Sequence, residues 1–303
     1  MAATNRNKIK SNSLLSEQAL AYILVTPALL CIMLVAFFPI GRTIYLSLFS
    51  MKLQFIHLKK FVGLGNYIIL ASDPRFWASL YHTLFFVVAS VSIEFIIGLG
   101  MALVMHRNFK GRGIIRAAIL VPWAIPTVVS AMMWSFIYND QLGVLNDVLL
   151  KLGVIDSYKT WLGDASTAMW AAISADVWKT SPYVGLLLLA GLQIIPADLY
   201  EAATVDGATK LRQFFVITLP LLKPTILVTL LFRTLDAFRV FDIIFVLTGG
   251  GPANSTETIS IYTYKTLFRN LDFGIGSAMA VSMFVCVMII SLIYQKGLGA
   301  RRT

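Results

Sequence analysis

Charge is what this sequence is shortest of. Asp, Glu, Lys and Arg make up 13% of its 303 residues, against a usual fraction of about 25%. A chain of this length would suggest two soluble domains, but a water-facing surface of that size needs more ionic groups, whereas a lipid-facing surface needs none. Cysteine is nearly absent. Cys31 and Cys286 each sit inside an apolar run, where a thiol behaves as an inert small hydrophobe, and neither reads as a disulfide partner or a metal ligand. The histidines, His57, His82 and His106, lack metal-ligand spacing. Catalytic signatures are missing as well. No G-x-x-x-x-G-K-S/T phosphate loop occurs, and the nearest glycine run, Gly249-Gly250-Gly251, has no lysine after it. There is no H-E-x-x-H and no G-x-S-x-G. The chain is expected to be no enzyme and to need no cofactor.

What is present is apolar length. Hydrophobic residues make up 58% and mean hydropathy is +0.78. A bilayer core about 30 Å thick takes about 20 apolar residues of helix, and six runs qualify: residues 19–40, 80–105, 114–137, 168–192, 225–247 and 274–294. The first is too long for a signal-peptide core and lacks an obvious A-x-A cleavage site, so it reads as a retained anchor. The expected fold is an all-α polytopic membrane protein, with a cytoplasmic tail over 1–18 and one six-span domain over 19–303. The net charge of +10 is not gathered into one stripe, as nucleic-acid binding would need. It falls in short clusters between apolar runs, where cytoplasmic loops meet anionic lipid. Cytoplasmic termini put Arg6, Lys8, Lys10, Arg107, Lys110, Arg112, Arg116, Lys210, Arg212, Lys223, Lys296, Arg301 and Arg302 inside. The first outer loop, with Arg42, Lys52, Lys59, Lys60 and Arg75, runs against this trend.

Residues 196–220, between the fourth and fifth runs, read as a helix–turn–helix at the membrane surface. Pro196 suits a helix start, and Asp198 and Glu201 favour the positive end of its dipole. Gly207 permits a turn or a close backbone approach. Phe214, Phe215 and Ile217 are available to the membrane or the bundle, and Pro220 is expected to break the second helix before the fifth span. On physics alone, this segment is equally well an interfacial loop that merely connects two spans. The spacing adds something more specific. Glu201-Ala202-Ala203, then Gly207 beside Asp206, then Ile217, Leu219 and Pro220 resembles the EAA motif of binding-protein-dependent ABC importer permeases. Val121-Pro122-Trp123-Ala124-Ile125-Pro126 through Trp134, with Gly143 and Asn146, is similar to the carbohydrate-uptake branch of that family. So are Phe238-Arg239-Val240-Phe241-Asp242, the Thr248-Gly249-Gly250-Gly251-Pro252 turn, and Thr258, Tyr262, Tyr264, Phe268, Phe273 and Gly274. The branch takes in maltose/trehalose, lactose and glycerol-phosphate types, and the turn resembles its first-permease type, in a shorter six-span form.

That resemblance implies a plasma (inner) membrane protein of a bacterium or archaeon working in a larger machine. Its partners would be a second permease, two cytoplasmic ATPases and an external sugar-binding protein. Glu201, Ala202, Ala203, Asp206, Gly207, Leu219 and Pro220 would belong to a coupling helix docked on an ATPase, driving alternating access by rigid-body motion. It also implies a sugar site. Ionisable residues inside spans are costly and usually face a bundle interior or cavity; here they are Glu94, Asp176, Lys179, Arg233, Asp236, Arg239 and Asp242. Asp176, Trp178, Lys179, Thr180 and Tyr183 resemble the family stretch that contributes to that site, and Arg233, Asp236, Ala237 and Val240 join them as pathway candidates. The alternative is an intrahelical ladder of Arg233, Asp236, Arg239 and Asp242, spaced three apart. The polar contacts depart from the maltose pattern. The expected substrate is a di- or oligosaccharide such as trehalose or maltose, the alternative a polyol or glycerol-phosphate-type solute.

Overall fold

The computed structural model describes residues 17–299; the basic residues of both tails expected inside, other than Lys296, lie outside them. The chain opens with α1 (Glu17–Ile32), a π turn (Met33–Phe37) and α2 (Phe38–Ser47), which run together as one helix. Its apolar side chains, among them Leu24, Leu34 and Val35, are exposed, as the hydrocarbon of a bilayer would require. A short antiparallel hairpin comes next, β1 (Phe49–Ser50) with β2 (Lys60–Phe61), then α3 (Gly65–Ala71). Asn66 ties hairpin to helix, donating to the carbonyls of Ser47 and Phe49 at 2.7 and 2.9 Å.

α4 (Pro74–His106) starts on a Pro at its first position, with Asp73 as N-cap accepting from the Arg75 amide at 2.9 Å. α5 (Arg112–Ala124) and α6 (Thr127–Ile137) come after it and meet at 90°. The run expected as one span over 114–137 is therefore bent into two helices. Pro126 forces the preceding Ile125 out of the helical region, to φ −73° and ψ 132°. α7 (Val144–Lys151) lies in the loop between α6 and the next long helix. There Asn146 is fully buried, bonding the Lys159 backbone and accepting from the Trp161 indole N–H at 2.8 Å.

α8 (Ala165–Leu192) is the central helix, and most of its residues are buried. It packs along α4, where glycines let the backbones approach; a Cβ on Gly98 would stand 2.7 Å from Val184. α9 (Asp198–Val205) and α10 (Lys210–Gln213) form the expected helix–turn–helix. Pro220 does not break the second helix, contrary to expectation. A π turn (Phe214–Thr218) carries it into α11 (Leu219–Phe238), with the Leu219 amide donating to the Phe214 carbonyl. A wider turn makes room for the proline ring, which would otherwise press on the carbonyl four residues back.

α11 ends at Phe238, and α12 (Asp242–Leu247) starts after a break. The four-residue charge ladder therefore does not form. Only Arg233 and Asp236 pair on one helix, at 3.0 Å, while the Arg239 Nε donates to the Leu235 carbonyl. α13 (Ile259–Tyr264), another π turn (Lys265–Arg269) and α14 (Phe273–Gly299) complete the chain. Among the described residues, four helical stretches are long and apolar enough to cross a membrane: Gln18–Ser47, Pro74–His106, Lys210–Leu247 and Phe273–Gly297; the bent α5–α6 pair makes a fifth candidate. α8 stands apart from these, because a helix enclosed by its neighbours tolerates polar side chains that a lipid-facing one does not.

Candidate functional site: a charged cavity, a surface helix–turn–helix and an ion-pair node

The central charges are organised by one guanidinium. Arg233 on α11 pairs with Glu94 on α4 and Asp176 on α8, besides Asp236 on its own helix. Glu94, Asp176 and Arg233 are all buried. Thr180 donates to the same Glu94 at 2.8 Å. A buried charge is tolerated only when paired and hydrogen-bonded, and this arrangement pins three helices at one point.

Beside the pin lies a cavity of about 200 Å³. It brings together seven of the nine expected pathway residues: Asp176, Lys179, Thr180, Arg233, Asp236, Ala237 and Val240. Lys179 is 8% exposed. Among the described residues its ammonium makes no hydrogen bond or ion pair, although Asp176 and Asp236 act on it through space. Asp236 keeps its carboxylate 69% exposed at the open side. Trp178 falls elsewhere, on an apolar groove with Ile93, Trp170 and Val177, edge-on to Trp134. Tyr183 also lies outside the cavity wall but stacks on Trp123, which lines it, with ring centroids 5.6 Å apart. Trp123, Thr127, Arg239, Phe241, Asp242 and Ile243 line the cavity too. Trp123, Thr127, Arg239, Phe241 and Asp242 lay in stretches carrying the family resemblance; Ile243 was not singled out in the sequence. No group of three or more His, Cys, Asp or Glu among the described residues is placed to hold a metal ion.

The second constellation is the helix–turn–helix. Glu201, Ala202 and Asp206 are exposed and Ala203 half-buried. Asp198 and Glu201 lie in the first turn of α9. Gly207 has φ +75°, and nothing lies within 4 Å of where its Cβ would be, so within this chain the glycine serves the turn rather than a close approach. Leu219 is half-buried and Pro220 exposed at the base of α11.

A third cluster, not expected as a site from the sequence, centres on the loop after α12. Glu257, its side chain 1% exposed, accepts from the Arg75 Nε at 2.6 Å and from the Lys265 Nζ at 2.7 Å. The Arg75 guanidinium lies over the Tyr262 ring, and Tyr262 donates to Asp73 at 2.7 Å. Burial alone would push the Glu257 carboxyl up, but hydrogen bonds from Arg75 and Lys265 outweigh it and hold the group below its ordinary value of 4.5. A depressed carboxylate stabilises the fold fully above its unfolded value and stops doing so as pH falls through the folded one. Protection of the amides in residues 248–272, taken relative to their intrinsic exchange at each pH, is therefore expected to be high at neutral pH and to fall as pH drops below 4.5. Glu257→Gln is expected to be weakly protected at every pH; a loop equally protected in that variant contradicts the assignment.

Together these features define a helical membrane protein with a charge-lined cavity between its central helices and a structured helix–turn–helix on one face. Residues 94–302 match the family described as binding-protein-dependent transport system inner membrane component. The chain is 46% identical over 291 residues to the trehalose/maltose transport system permease protein MalF of Thermococcus litoralis, covering 96% of this chain and 97% of that one. It is 43% identical to the trehalose transport system permease protein SugA of Mycobacterium tuberculosis, over 96% of this chain and 92% of the relative. A solved bacterial ABC transporter involved in import of the acidic polysaccharide alginate shares the fold, with a TM-score of 0.81 over 94% of this chain and 96% of that one, at 24% identity. The chain belongs to the family of binding-protein-dependent transport system inner membrane components.

Proposed function

We propose that this chain is the permease subunit of an ATP-driven sugar importer. It forms half of the translocation pathway beside a second permease, receives sugar from an external binding protein, and is driven by two cytoplasmic ATPases. The observation that carries the reading is the cavity between α8 and α11. It offers an ammonium donor at Lys179, a carboxylate acceptor at Asp236 and an aromatic face at Trp123. Sugars are held by hydrogen bonds to fixed polar groups and by contact of their C–H faces with aromatic rings. The relatives named for trehalose and maltose transport support a di- or oligosaccharide such as trehalose or maltose as cargo.

In this reading α9 is the coupling helix. The exposed Glu201 pairs with a cation in the ATPase groove, with Ala202, Ala203, Asp206 and Gly207 around it and Leu219 and Pro220 carrying the motion into α11. Closing of the ATPases then moves α9 and α11 as a body and reorients the cavity. The test is reconstitution of the complete complex in liposomes with a panel of sugars. Glu201→Ala is expected to lower sugar-stimulated ATP hydrolysis and uptake about tenfold, the effect of losing one charge-assisted hydrogen bond, with membrane insertion intact. Unchanged stimulation in an assembled complex would remove Glu201 from the coupling role.

A further inference from the structure

The turn between α9 and α11 contains more hydrogen-bonding than a passive connector needs. The Tyr200 hydroxyl and the Thr218 hydroxyl are bonded at 2.9 Å. One helical turn further along α9, the Gln213 Nε2 donates to the Thr204 hydroxyl at 2.9 Å, and also to the Ala208 carbonyl at 3.3 Å. Gln213 and Thr218 are 3% and 5% exposed, while Leu211, Phe215 and Val216 around them stand out into the surroundings. Two polar side chains have been buried where apolar ones are exposed.

The backbone explains how both bonds form at once. Tyr200 and Thr204 are four residues apart on an α-helix and therefore share a face. Gln213 and Thr218 are five apart, and on an α-helix they would point about 140° away from each other. The π turn over Phe214–Thr218 widens the coil so that residues five apart come into line. In confirmation of that alignment, the Thr218 hydroxyl also reaches the Gln213 carbonyl, at 3.5 Å. The π turn thus does two things with one extra residue: it admits Pro220 and it sets the second helix in register with the first.

We propose that Tyr200–Thr218 and Thr204–Gln213 form a two-point strap that makes α9 and the base of α11 a single lever, so that displacement of the surface helix is delivered to the cavity-lining helix instead of being absorbed in the Gly207 turn. This rests on the coupling reading of α9. A single hinge at Gly207, with open space around it and a positive φ, would let α9 swing freely. Two hydrogen bonds separated by a helical turn remove that freedom. Tyr200, Thr204, Gln213 and Thr218 are positioning residues, touching neither cargo nor nucleotide. Arg233 and Asp236 lie further along the same helix, α11, so the lever ends at the cavity.

The experiment uses the complete complex in liposomes and reads sugar taken up per ATP hydrolysed. Thr204→Val and Tyr200→Phe keep shape and remove one bond of the strap each, Thr204→Val also losing its hydroxyl's bond to the Tyr200 carbonyl within α9; Thr204→Ser keeps the hydroxyl. One net hydrogen bond corresponds to roughly a fivefold change in an equilibrium. Each single variant is expected to lower uptake per ATP about fivefold and the double variant further, with assembly and unstimulated ATP hydrolysis at the level of the unaltered protein. Thr204→Ser is expected to behave as the unaltered protein, which a mere loss of folding would not produce. Gln213→Leu, approached from the other helix, also loses its contacts with Ala208 and Lys210 and is expected to lower uptake per ATP at least as far as Thr204→Val. An unchanged ratio in the double variant, in an assembled complex, overturns the strap. Glu201→Ala measured alongside tests the coupling reading separately. If it uncouples while the strap variants do not, only the strap is wrong.

Discussion

Arg233→Met is expected to destabilise the folded protein by about 3–5 kcal/mol, the cost of leaving buried charges without their partner. The variant strands Glu94 and Asp176, both buried, and removes the one side chain that joins α4, α8 and α11. Thermal unfolding of the detergent-solubilised protein is the measurement. The triple variant Arg233→Met, Glu94→Gln, Asp176→Asn carries no uncompensated charge and is expected to recover most of the loss, because neutral replacement of a whole buried cluster is often near neutral. A single variant as stable as the unaltered protein would mean that the three helices are held by packing alone. The same geometry leaves Arg233 little to offer a ligand. A guanidinium has five N–H donors, and four of them, on Nε, Nη1 and Nη2, are already directed at three carboxylates.

Lys179→Met is expected to act on transport rather than on folding. The ammonium is buried yet makes no hydrogen bond or ion pair among the described residues, so its removal breaks no direct contact within the chain. A charge-assisted hydrogen bond to a sugar hydroxyl would be worth about 1.5–3 kcal/mol, or roughly 10- to 150-fold in half-saturating concentration. In reconstituted complexes, the sugar concentration for half-maximal uptake should rise by that factor, while assembly and unstimulated ATP hydrolysis stay the same. If half-saturation does not move, Lys179 is not a cargo contact, and the cavity's charges serve only one another. Asp236→Asn, which keeps the shape and weakens the acceptor, should shift half-saturation in the same direction by less.

Several elements were legible from residue order alone. The apolar lengths of α1–α2, α4 and α14 follow from composition and the thickness of a bilayer. The helix–turn–helix of α9 and α10 follows from Asp198, Glu201 and Gly207, whose effects are local. The bend between α5 and α6 is written in the Ile125-Pro126 pair, yet the expected span ran straight through it, because hydropathy averaged over a window is blind to one extended residue. The same averaging joined α11 to α12. A charge every third residue over Arg233, Asp236, Arg239 and Asp242 suggested one ladder, and the break after Phe238 undid it.

The sequence by itself determined that this chain lives in a membrane, which segment faces the aqueous phase as a structured turn, and which ionisable groups had to be sheltered from lipid. Those are consequences of single residues and of their near neighbours. Only the tertiary structure decided which sheltered charges are partners. Glu94 and Arg233 stand 139 positions apart, and helical periodicity carries no information across that distance. It also decided that Trp178 turns away from the cavity that Lys179 faces, and that Gln213 and Thr218 share a face. Both depend on how far a helix has rotated when it meets its neighbour, which the order of residues along one helix does not set.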